Sequence, residues 1–65
     1  MDSLDEIANA VASLERRVSD AMYEAARAQL RDVDAPEAQA LERRLAKVRR
    51  SLVKAEQLLR GTSAD

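Results

Sequence analysis

Asp32-Val33-Asp34-Ala35-Pro36 decides the fold, because it interrupts a chain that otherwise reads as helix from end to end. Asp34 is of a type that caps helices, and Glu37 stands three residues on as its capping-box partner. Pro36 then falls in the first turn of a second helix, where its missing N–H costs nothing.

Reading backward from the break, the helical pattern runs from about residue 3 to residue 31. Ser3 and Glu6 have capping-box spacing, and Asp2 and Asp5 add negative charge where a helix dipole favours it. Reading forward, the second pattern runs from about 35 to 60. Gly61 follows as a residue able to take the left-handed conformation that ends helices. Residues 32–35 form the turn and 61–65 a tail. Two helices of roughly 40 Å each, at about 1.5 Å per residue, joined by a short turn predict a single antiparallel hairpin.

The apolar spacing is that of a coiled coil. Leu4, Ile7, Val11, Leu14, Val18, Ala21, Ala25 and Ala28 alternate by three and four in the first helix. Ala38, Leu41, Leu45, Val48, Leu52, Ala55 and Leu59 do the same in the second. Folding at residue 33 sets the two series in phase: Ile7 opposite Leu59, Leu14 opposite Leu52, Ala25 opposite Leu41. Two unrelated heptad series would match this way roughly one time in seven. The expectation is a uniformly apolar seam, with Glu15, Glu42 and Glu56 as solvated flanks making salt bridges.

Composition excludes most chemistry. Ala, Leu, Glu, Arg and Lys fill 38 of 65 positions, the balance of long helices. Cys, His, Trp and Phe are absent, so no thiol nucleophile, disulfide, thiolate metal site or imidazole base is available. A lone Gly makes no phosphate loop. The expectation is a non-enzyme with no cofactor, no metal and no small-molecule substrate. No apolar run is long enough for a membrane span, and no signal-peptide pattern opens the sequence; both favour the cytoplasm.

Two helices without a disulfide or metal bury little apolar surface for the backbone they must order, so association is expected. A second apolar line on the first helix points the same way: Ala8, Ala12, Met22, Ala26, Leu30 and Val33, with Tyr23 beside it. Met22, Tyr23, Ala26, Leu30 and Val33 are the candidate protein interface. Its first reading is packing against a second copy to make a dimeric four-helix bundle, and its second is docking of a larger protein partner.

The net charge is −1, but residues 43–54 contain six bases and no acid. Arg43, Lys47, Arg50 and Lys54 recur at four, three and four, forming a stripe opposite the seam. That stripe is a candidate site for phosphates of a nucleic acid or for an acidic partner. The near-neutral total and the lack of aromatic residues on the stripe make nucleic acid the second reading. In length, turn position and hairpin layout the chain resembles the repressor-of-primer proteins of plasmids, which implies a dimeric four-helix bundle that binds RNA. The likeness is architectural: no functional motif is shared, and no residue role carries over.

The sequence thus predicts an all-α antiparallel hairpin that dimerises into a four-helix bundle. Its predicted role is that of a small interaction protein: an adaptor, regulator or accessory subunit.

Overall fold

The computed structural model describes residues 3–31 and 35–61. Val33, the Asp34 cap and the tail from Thr62 lie outside them. The described residues form two α-helices, α1 (Ser3–Leu30) and α2 (Ala35–Arg60), packed side by side. Both are built from strong helix formers with no Gly or Pro in their interiors. Asp5 and Glu6 sit in the first turn of α1 and Glu37 in that of α2, with Arg27 and Arg60 in the last turns, each sign on its favoured end of the dipole.

The helix ends are closed locally. The Arg31 N–H is shared between the carbonyls of Arg27 (3.3 Å) and Ala28 (3.2 Å), a common three-centre ending. Gly61 takes φ of 75°, and its N–H reaches the Leu58 carbonyl at 3.2 Å. The left-handed turn ends α2 where a residue with a Cβ would be strained.

The molecule measures 47 × 23 × 11 Å. The last figure is the thickness of one helix, so the hairpin is a single layer with two open faces. Among the described residues, the buried apolar side chains are all alanine: Ala8, Ala25 and Ala38. The chain exposes 4933 Å². A compact protein of this mass exposes about 4,100 Å².

The helix contact is rotated from the expected seam. On α1 the buried and half-buried series runs Ala8, Val11, Glu15, Val18, Met22, Ala25, Gln29. On α2 it includes Ala38, Glu42, Leu45, Leu52, Glu56 and Leu59. Val11, Val18, Ala25, Ala38, Leu45, Leu52 and Leu59 belong to both the expected and the observed seam. Ile7, Leu14, Ala21, Leu41 and Val48, expected to face the opposite helix, are exposed instead. Glu15, Glu42 and Glu56, expected on solvated flanks, sit half-buried between the helices. The seam is therefore not uniformly apolar. The rotation turns the small side chains of Ala8, Ala12 and Ala26 toward α2 in place of the larger Ile7 and Leu14, which suits a close approach of the helices.

Candidate interaction faces

Heptad geometry assigns the side chains around the rotated seam to the two faces of the layer. In an antiparallel pair, residues that precede the seam in angular order on one helix share a face with those that precede it on the other. Ile7, Leu14, Ala21 and Ala28 of α1 thus lie on the same face as Leu41, Val48 and Ala55 of α2. The other face carries Asn9, Ala12, Ser19 and Ala26 with Ala46, Arg49, Val53 and Arg60.

Every cross-helix side-chain hydrogen bond found among the described residues falls on this second face or on the seam beside it. Arg60 Nη2 donates to Asn9 Oδ1 at 3.0 Å, while its Nε donates to Glu56 Oε2 at 2.8 Å. Arg49 Nε donates to Ser19 Oγ at 2.9 Å. Gln29 Nε2 donates to Glu42 Oε1 at 2.6 Å. At the centre, Glu15 meets Glu56. One Glu15 oxygen, Oε2, is buried with no donor, because its neighbour is another carboxyl and can only accept while both are ionised. The Glu15 carboxyl is held above the usual carboxylate range. Its hydrogen bond with Glu56 is the main cause; burial and the Glu56 charge add, against Arg49 and Arg60. Glu56 is held below that range chiefly by its hydrogen bonds with Glu15 and Arg60; burial opposes them, and the Arg60 and Arg16 charges add to the lowering.

The first face has the opposite character. Ile7, Leu14, Leu41 and Val48 are each between 40% and 49% exposed, and Leu4 and Leu58 extend the apolar surface at the open end. Val11, Val18, Leu45, Leu52 and Leu59 lie half-buried on the floor between them. One side of the hairpin is joined by polar bonds and the other is an open apolar groove.

Of the candidate protein interface, Met22 and Ala26 are half-buried on the polar side of the seam. Tyr23 and Leu30 are exposed one position further round, with the Arg27 guanidinium 5.8 Å from the Tyr23 ring centre. Val33 is outside the described residues. The structure therefore splits this group, and the apolar groove lies on the other face. The signal for that groove was present in the sequence. In a four-helix bundle the heptad residues point at the bundle axis, midway between two neighbours, so one neighbour alone covers them partly.

Arg43, Lys47, Arg50 and Lys54 are all exposed on α2, and no hydrogen bond or ion pair among the described residues engages them. Nearby, Arg16 Nη2 donates to Ser13 Oγ at 3.2 Å beside a shallow open depression that Arg17, Ser19, Asp20 and Arg49 also line. Among the described residues no three metal-ligating side chains gather, and no helix is long and apolar enough to cross a membrane. No protein-family model, curated protein or solved structure matches the chain.

Proposed function

We propose that the chain is a non-catalytic interaction module, an adaptor, regulator or accessory subunit, that self-associates through its apolar groove into a four-helix bundle. One observation carries this reading: Ile7, Leu14, Leu41 and Val48 stand on one open face, while among the described residues only alanines are buried between the helices. Area supports it. Two separate hairpins expose 4933 Å² each. A compact particle of twice the mass exposes about 6,800 Å², so joining them removes about 3,000 Å², within the range of obligate homodimers. The face that remains outward after such packing carries Tyr23 and Leu30, where a larger protein partner would dock by helix-face recognition. Sedimentation equilibrium over a wide concentration range tests the reading. A dimer at micromolar concentration is the expected result; a helical monomer there would overturn it.

A second reading rests on the exposed, unpaired Arg43, Lys47, Arg50 and Lys54. Dimerisation through the groove leaves both copies of this stripe outward, one on each side, available to phosphates of a nucleic acid. A salt titration of RNA and DNA binding tests it, because phosphate contacts are strongest at low salt and weaken steeply as salt rises.

A further inference from the structure

We propose that the second copy sits on the groove in one orientation. The two-fold axis runs parallel to the helices, so α1 of each hairpin lies against α2 of the other and every neighbouring pair is antiparallel. This rests on the self-association reading and adds the arrangement to it. The argument is charge complementarity along the groove's two rims.

The rim of α1 is the helical line Ala10, Arg17, Glu24, Arg31, and the rim of α2 is Glu37, Arg44, Ser51, Leu58. All eight are exposed. No side-chain hydrogen bond or ion pair among the described residues engages Glu24, Arg31, Glu37 or Arg44. Heights along the hairpin follow from the observed cross-links. Ser19 is level with Arg49, Asn9 with Arg60 and Gln29 with Glu42. By that scale Glu24 stands within a helical turn of the height of Arg44, Arg31 of Glu37, Arg17 of Ser51 and Ala10 of Leu58.

Two ways exist to close a symmetric dimer on this face. With the axis parallel to the helices, heights are kept and the α1 rim meets the partner's α2 rim. Glu24 then faces Arg44, Arg31 faces Glu37, and Ala10 faces Leu58: two opposite-charge pairs and one apolar pair, each made twice. With the axis crossing the helices, each rim meets its own copy upside down. Neither opposite-charge pair then forms, and the Arg17 guanidinium, beside Ser19 and Arg49 toward the other face, supplies no partner for the rim. The second arrangement gains no charge pairing along the rims, and matched rims select the first.

The chain has no cysteine, so introduced thiols report the arrangement directly. The Glu24→Cys and Arg44→Cys variants are mixed, refolded together and oxidised. The expected product is a disulfide-linked pair of the two, while Arg17→Cys alone gives no cross-link. A cross-linked Arg17→Cys dimer overturns the orientation, as does failure of the mixed pair to link while sedimentation still reports a dimer. A monomeric parent chain overturns the self-association reading itself, so the two failures are distinguishable. As a second readout, Glu24→Arg weakens dimerisation by about 2–10-fold, the range of two exposed ion pairs. Mixing it with Arg44→Glu restores affinity only if the two positions face each other.

Discussion

Glu15 and Glu56 meet carboxyl to carboxyl between the helices, with Arg60 Nε donating to Glu56 Oε2 at 2.8 Å. This makes the hairpin's stability depend on pH in two opposed ways. Glu15 has its value raised by folding, so its contribution is complete in acid and is lost as pH rises through the raised value. Glu56 has its value lowered, so its contribution is complete above the ordinary carboxylate range and is lost as pH falls through the lowered value. Stability from the pair therefore peaks in mild acid, between those two limits. Thermal melts followed by circular dichroism across pH 3 to 8 should show that maximum. Glu15→Gln replaces the titrating acid with a neutral amide that can donate at every pH. It should raise Tm at neutral pH and flatten the limb above the maximum.

Leu14→Asp and Leu41→Asp place a charge in the apolar groove. Each removes a large side chain twice per dimer, and full burial of such a side chain contributes about 1.5–3 kcal/mol. Leu14 and Leu41 are 44% and 43% exposed in the lone hairpin, so the loss over two copies is about 1.3–2.6 kcal/mol before the cost of the charge, and dimerisation should weaken by at least about 10-fold for either variant. Sedimentation equilibrium reads the change.

Leu30→Asp should leave self-association within about twofold of the parent, because a surface substitution away from an interface has little effect. Leu30 is 86% exposed and lies away from the groove. If the outward face docks another protein, this variant loses that partner while keeping the parent's solution mass. Loss of the dimer instead would move the self-association surface to the Tyr23 side.

Ala25→Leu tests the close approach of the helices. Ala25 is 5% exposed, and added methyl groups there have no space. Overpacking costs typically about 1–3 kcal/mol, so Tm should fall by several degrees. If Tm were instead to rise, the seam would be loosely packed at this point and the rotation would need another cause.

Much of the fold is legible in the residues. The Asp32–Pro36 break, the uninterrupted helix formers on either side and Gly61 are local signals that need no tertiary information. The heptad spacing identifies which residues are apolar together, and these do form one continuous surface. What spacing cannot decide is where that surface points. A three–four repeat is satisfied by a two-stranded seam and equally by the axis of a four-helix bundle, which differ by a rotation of about half a heptad step. Ala8 and Ala12 looked like an outward stripe because they flank the larger series, yet their small size suits them to the contact itself. The same rotation draws Glu15 and Glu56 inward. Their pairing depends on a register of 41 residues in sequence, which no local pattern carries. Glu24, Arg31, Glu37 and Arg44 carry no signal of their own in the sequence, because rim charges gain meaning only once the groove between them is known.

Among the described residues only alanines are buried within the single layer. On the self-association reading, a lone copy has almost no interior to lose, so becoming ordered and finding a mate are one event governed by mass action. Dilution then acts as a denaturant: below the dissociation constant the chain melts and its backbone opens to proteases, and above it the helices persist. The amount synthesised becomes the variable that turns the module on.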